Sequence, residues 1–449
     1  MTDINRLENQ IIKSLEVALE HSKADQTEAL AIAHDSALTR FSNSSIHQNV
    51  AEKNVHLSIR TIKDKRIGYA ATNRLDEESV CKTVDMANKI GKERPQDNEF
   101  KSLPKSKPAR KSDSYITSTA HFSPAQRASA VKLIIDKALD NNLSAAGSIS
   151  NDAAVLGVAN SLGIKSIQPT TQASLSTVIS SSTSSGFAGF VTKNIDTMDP
   201  EKLADTAIKK ALLSKEPVSI KPGKYTVILE EEAVATLVSF LGFIGFGALA
   251  FQEQRSFLCG KIGKKIVGNN ITIWDDALDK RTMGFPFDFE GVPKQKVILI
   301  EDGVAKNVVY DSYTAQKEGK ESTGHGLPAP NSYGPIPTNL FLKAGTSSIE
   351  EMIASTNKGI LVTRFHYTNI EDPIKTTLTG MTRDGTFLIE KGKIVSGIKN
   401  LRLTQSILEA LTSVEQISNK TCLIDSGFGA CRVPALKIGD FNFTGVTEF

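Results

Sequence analysis

The sequence predicts an α+β protein. Residues 1–220 read as an N-terminal α/β domain with a mostly antiparallel sheet and flanking helices. Residues 221–449 read as a C-terminal β-rich, barrel-like domain around a buried apolar helix. Three observations carry this reading. The first half alternates capped helical segments with strand-like runs. The second half is punctuated by X-Gly turn dipeptides between apolar runs. Residues 233–251, AVATLVSFLGFIGFGALAF, contain no charge in a chain that is 23% charged.

The elements follow in order. Leu7, Ile11, Leu15, Ala18 and Leu19 form one stripe of an N-terminal amphipathic helix. Strand-like runs follow at Ala29–Ala33, Val55–Thr61 and Gly68–Thr72, the last two joined by a turn at Asp64-Lys65. A helix spans about Glu77 to Ile90, with Asp76 as its N-cap. Residues 94–112 are polar and contain Pro95, Pro104 and Pro108, so they form a connection. Ser123-Pro124 and Asp199-Pro200 each place a capping side chain before a proline at the first helical position. The two helices run to about Leu139 and Leu213. Between them lie strands at Ala153–Ala159 and Ile164–Ile167, then a Ser/Thr-rich run at 173–185 that suits a sheet with one wet face.

Lys221-Pro222-Gly223-Lys224 marks the domain boundary, and the strand Tyr225–Leu229 opens the second half. Asp302-Gly303, Asp384-Gly385 and Lys391-Gly392 read as hairpin turns. Short helices are expected near Ser348–Ser355 and Thr404–Ser413. The Gly- and Pro-rich segment Ser322–Pro337 reads as a long ordered loop of the kind that shapes binding sites. The uncharged run is long enough to span a membrane, but its flank Glu230-Glu231-Glu232 offers no cation and no second span returns the chain. It therefore reads as a buried core helix or, more specifically, as a core helix whose small-residue face with Gly242, Gly245 and Gly247 lies beneath a cleft.

Composition narrows the function. The 53 basic and 50 acidic residues leave a net charge of +3, which predicts no nucleic-acid partner. The basic cluster Lys101, Lys105, Lys107, Arg110 and Lys111 lacks interleaved aromatics and reads as a solvated loop. Cys81, Cys259, Cys422 and Cys431 are too dispersed for a disulfide framework. With no signal peptide, this predicts a cytoplasmic protein.

Known catalytic signatures are missing. There is no phosphate loop, no G-x-S-x-G elbow and no C-x-x-C pair, and no His is followed by Glu. One constellation remains: His325 in STGHGLPAP, His366 in TRFHYTN and Cys431 in GFGACRVP. Two imidazoles and a thiolate can hold zinc with one position open. Equally, each His can satisfy a local hydrogen bond while Cys431 is a small buried residue. Asp288, Glu290, Arg364, Arg383 and Asp384 lie in apolar or Gly-rich surroundings, as internal ion pairs or cleft-lining groups.

The ordered segments FQEQRSFLCGKIG, ITIWDDAL, FDFEGVPKQKVILIEDGVAKNVVYDSYTAQKEGKESTG, LVTRF, TRDGTFLIEKGKI and GFGAC resemble the TldD/PmbA family, also labelled modulator of DNA gyrase. So do ALAIAHDSALTRFSNSSIHQNVAEKN, RIGYAATNRLDEESV, VANSLGIKSIQPTTQASLS and PGKYTVILEEEAV in the first half. The resemblance implies an α/β domain followed by a barrel-like domain, assembled as dimers. In TldD-type members an HExxxH helix and a distant Cys hold a catalytic zinc that cleaves unfolded or leader peptides. Here SFLGFIGFG stands where HExxxH is expected, and only Cys431 matches a ligand position. The resemblance therefore implies a PmbA/TldE-type member with no metal of its own. Zinc is expected only in a TldD-type partner, in a homo- or heterodimer that handles peptides without nucleic acid or membrane. Two alternatives stand beside it. One is a homodimeric peptidase with a displaced site at His325, His366 and Cys431, near Arg364. The other is a non-enzymatic peptide- or gyrase-binding protein.

Overall fold

The computed structural model describes residues 3–108 and 112–447. The order in the first half is α1 (Asp3–His21), β1 (Gln26–Ser42), β2 (Ser45–Lys63), β3 (Arg66–Thr72), α2 (Glu77–Lys92), α3 (Thr117–Ala120), α4 (Pro124–Asp140), β4 (Ser144–Asn160), β5 (Lys165–Ser180), β6 (Ser185–Thr192) and α5 (Pro200–Leu213). The strands form one antiparallel sheet in the order β3-β2-β1-β4-β5-β6.

Side-chain alternation decides what each face of this sheet does. Ala29, Ala31 and Ala33 of β1 bury against Ile11 and Leu15 of α1 and Val80 and Val84 of α2. Farther along the same face, Phe41, Ile149 and Leu175 meet Val131 and Ile134 of α4 and Ala207 of α5. All the long helices therefore cover one face. Their starts are chemically specified. Asp76 accepts from the Ser79 N–H, Asp199 from Lys202, and Ser123 and Gln126 form a reciprocal capping box.

The second half contributes β7 (Gly223–Leu229), α6 (Glu231–Gly245), α7 (Ala248–Gln252), β8 (Ile273–Asp275), β9 (Val297–Glu301), β10 (Val304–Ala305), α8 (Ser312–Lys317), β11 (Asn339–Leu342), α9 (Ile349–Ala354), β12 (Lys358–Asp372), β13 (Thr377–Glu390), β14 (Lys393–Gly397), β15 (Leu401–Ser406), α10 (Ile407–Thr412), β16 (Val414–Asp425) and β17 (Ala430–Val446). Strands β17, β15, β13, β12 and β7 pair in sequence, and β7 pairs back to β17. That circuit closes a barrel, and α6 buries Val234, Leu237, Val238 and Leu241 in the core it shares with the barrel strands. Among the described residues no helix is long and apolar enough to cross a membrane.

Four local expectations need correction. β1 and β2 are far longer than the apolar runs suggested and turn at Asn43 and Ser44, both with positive φ. Their distal halves are polar, so no apolar alternation announced them. The Ser/Thr run at 173–185 crosses a turn at 181–184. Asp384-Gly385 is not a hairpin but a left-handed kink inside β13, with φ of 54° and 121°. The uncharged run is not one helix: it breaks at Phe246-Gly247, where Gly247 bridges to Val309. A Cβ on Gly247 would collide with the Pro335 carbonyl oxygen, so glycine is required there. Arg110 and Lys111 lie outside the described residues. Lys101 reaches the Gln316 carbonyl and Lys107 pairs with Glu321 at 3.0 Å, tying the connection to the second half.

Candidate functional site

The helix-free face of the first sheet looks into a cleft roofed by the second half. Its floor is the even-numbered side of β4 and β5: Ser148, Ser150, Asp152, Gln172, Ser174 and Ser176. Ser150 and Ser174 are hydrogen-bonded across the strands at 2.8 Å. At one end Leu30, Leu156 and Val158 close the cleft against Phe287.

Three groups of side chains form the roof. The first is the start of α6. Glu230 pairs with Lys210, and Glu232 lies over Gly189 of β6. Burial pushes the Glu232 carboxyl up to about 7, against the opposing pull of Arg364 and Lys210. Arg364 stands 4.1 Å from the Phe187 ring centroid and donates through Nε to Asp384 at 2.9 Å. It thus links β12, the kink in β13 and the first sheet.

The second group occupies the turn of α6 that carries SFLGFIGFG in place of HExxxH. Phe243 stacks on Phe428 at 4.6 Å, Phe240 meets Phe428 edge-on at 5.7 Å, and Tyr333 lies 5.7 Å from Phe243. Gly242 faces Pro337 and Leu340, and Gly245 faces the Phe257 ring. This is an aromatic contact surface without a donor atom for zinc.

The third group is a buried polar cluster. His325 is 1% exposed, with Nε2 2.9 Å from Asp275 Oδ1 and Nδ1 2.9 Å from Thr323 Oγ1. Burial lowers its pKa despite the pull of Asp275. Asp275 also accepts the Asn339 N–H at 2.6 Å. Asp288 accepts the N–H groups of Glu290, Val292 and Gly326, and burial together with the Glu290 charge raises its pKa. Glu290 accepts from Ser312 and approaches Arg60 of β2 at 3.5 Å, and Arg60 is itself bonded to Glu28 at 2.6 Å.

The residues singled out from the sequence are only partly brought together. Cys431 pairs with Leu340 across the sheet, and Leu340 pairs with Asp275, so Cys431 and His325 both lie near Asp275. The Cys431 thiol has Ser426 Oγ at 3.8 Å, and burial pushes its pKa up to about 12. His366 is elsewhere. It sits on β12 opposite Met381, its ring against Tyr367 at 4.3 Å. Among the described residues no group of three His, Cys, Asp or Glu side chains is arranged to hold a metal ion. Among the described residues, then, neither the α6 turn nor the surroundings of Asp275 presents a donor set arranged for zinc. Sequence reasoning passed over Asp275, Lys294 and Glu232. The only sequence signal for them was charge flanked by apolar residues, as in ITIWDD and FEGVPK.

A family model described as the PmbA/TldA metallopeptidase C-terminal domain matches residues 222–445, and one described as PmbA/TldA metallopeptidase domain 1 matches residues 28–91. The chain is 28% identical over 256 residues to a metalloprotease TldD homolog of Haemophilus influenzae, covering 54% of this chain and 52% of that protein. It is 30% identical over 298 residues to an uncharacterized protein of Methanocaldococcus jannaschii, covering 66% and 69%. With metalloprotease PmbA of Escherichia coli O157:H7 the identity is 26%, over 54% of this chain and 52% of that one. The chain thus spans about half the length of the TldD and PmbA relatives it matches. Among solved structures, TldE from Thermococcus kodakarensis superposes with a TM-score of 0.87 at 24% identity, over 98% of this chain and 100% of that one. A protein from Bacteroides thetaiotaomicron described as a modulator of DNA gyrase gives 0.83 at 21% identity, over 99% and 100%. At these identities the structures speak for the fold.

Proposed function

This chain belongs to the PmbA/TldD metallopeptidase family, and we propose that within it the chain is a PmbA/TldE-type subunit, not itself zinc-catalytic. It shapes a peptide-admitting cleft while a TldD-type partner supplies the zinc. The observation that carries this reading is the aromatic packing of Phe240, Phe243 and Phe428 on the turn of α6 where ligands would stand. A cytoplasmic setting suits the four cysteines, all free thiols.

The cleft gives the subunit something to do. Hydroxyls on its floor present donors and acceptors to an extended main chain, and Arg364 and Glu232 add charges to the roof. The test is metal content and peptide hydrolysis, alone and with a TldD-type partner. The reading expects sub-stoichiometric zinc and no turnover by the chain alone, and turnover when the partner is added. One firmly held zinc per chain, or chelator-sensitive hydrolysis by the chain alone, would refute it.

A further inference from the structure

A cavity of about 260 Å³ opens at the Asp152 end of the cleft, between the first sheet and the segment that precedes β9. One wall is aromatic, from Phe285, Phe287 and Phe289. Opposite stand His34 and Asp152, paired with each other at 3.0 Å. Lys294 and Thr338 also line it. Lys294 is 9% exposed. Its ammonium donates to Thr338 Oγ1 at 2.6 Å, its only side-chain hydrogen bond among the described residues. A lysine ammonium carries three protons, so two have no protein acceptor.

The nearby acids do not fill that need. Asp275 and Asp288 act on Lys294 through space, but Asp275 is engaged by His325 and the Asn339 N–H, and Asp288 by three backbone N–H groups. Neither forms an ion pair with Lys294. At the rim, Asp152 is engaged by the His34 ring at 3.0 Å, and Asp425 accepts from Gln172 at 3.3 Å and from the Gly427 N–H. Burial lowers the Lys294 pKa, the response of a cation short of partners. A buried ammonium with open protons beside an aromatic wall calls for an acceptor that carries an apolar group.

We propose that this cavity takes the C-terminal residue of a peptide, with its carboxylate on Lys294 Nζ and its apolar side chain against Phe285 and Phe287. The proposal rests on the peptide-handling reading above and gives that reading a chain end and a polarity. The volume suits a terminal residue, being below the roughly 300–1,000 Å³ of sites that enclose whole drug-sized ligands. The rest of the peptide has a route. From Asp152 and Gln172 the same face continues through Ser150 and Ser174 to Ser148 and Ser176. A free carboxylic acid would satisfy the same lysine without using that track.

Binding to the lone chain tests this without any hydrolysis, so its outcome is separate from the subunit assignment. The probe is a fluorescent hexapeptide ending in phenylalanine, compared with its C-terminal amide and with 3-phenylpropionate. The acid is expected to bind at least about tenfold more tightly than the amide, the scale of a charge-assisted hydrogen bond. It should also outcompete phenylpropionate. Lys294→Met, checked for native circular dichroism, should erase the acid–amide difference, and Phe285→Ala should weaken both peptides alike. Equal binding of acid and amide by the unmutated chain would overturn the proposal, whatever becomes of the variants. Phenylpropionate binding as tightly as the peptide would overturn the peptide assignment in favour of a small-acid site.

Discussion

The loop 426–429 divides two regions built on opposite principles. On one side, the face of α6 is closed by aromatic packing, with Phe240 and Phe243 each against Phe428. On the other, Asp275, His325, Lys294 and Asp288 are almost fully buried and remain ionisable. The first region resembles a site whose polar groups have been exchanged for area. The second keeps charges in a setting that makes them costly. Family resemblance directs attention to the first, but the unused chemistry of this chain lies in the second.

Removing Asp275 is the strongest way to break the contrast. Asp275→Ala would leave His325, Lys294 and the Asn339 N–H facing an empty carboxylate position, at a cost of about 3–5 kcal/mol. Chemical denaturation reads this directly. A loss as small as that of a surface substitution would mean that the cluster is not structurally coupled. On the apolar side, Gly247→Ala drives a methyl into the Pro335 carbonyl and should cost about 1–3 kcal/mol. A neutral result there would show that the break between α6 and α7 is loosely held.

The Glu232 carboxyl offers a smaller, pH-dependent effect. Its folded pKa of about 7 is above the ordinary glutamate value of 4.5, so the native state binds the extra proton. Stability from this group is therefore full below about pH 4.5 and is lost as pH rises towards and through 7. Glu232→Gln should raise the melting temperature at pH 8, leave it nearly unchanged at pH 4.5, and flatten the profile between. An unchanged profile would show that Arg364 and Lys210 compensate for burial. The smallest effect is a rate. Cys431, 1% exposed and with its pKa near 12, should stay unmodified by a thiol reagent at pH 8 until the chain unfolds. Mass spectrometry of partly labelled protein identifies which of the four cysteines react first. Early modification of Cys431 would contradict its placement in the core.

What was legible in the sequence follows the range of the physics. Helix starts are local, so Asp76, Ser123 and Asp199 could be named as caps before any fold was known. The hairpins at Asp64-Lys65, Asp302-Gly303 and Lys391-Gly392 are equally local. Strand length is not, because the outer halves of β1 and β2 are polar and their extent is set by pairing partners. Asp384-Gly385 misled for the same reason. Positive φ serves a hairpin or a kink, and only the neighbouring strands decide which. His325 and Cys431 were visible as residue types, but their shared neighbour Asp275 depends on β8 lying beside β11. Lys294 carried no motif, since its significance comes from acceptors that are missing around it.

Barrel closure has a consequence for how the chain is made. β7 comes near residue 223, yet the strand it must join to close the circuit, β17, begins at Ala430 and is the last described. The other four strands of that ring can pair earlier, but the circuit closes, and the wall against which α6 packs is complete, only with this late segment. Until it arrives, one of the most apolar helices in the chain is only partly covered, a long-range dependence that slows folding and exposes sticky surface. Damage near residues 430–446 should therefore appear first as insoluble product during synthesis, and only afterwards as a weakened mature protein.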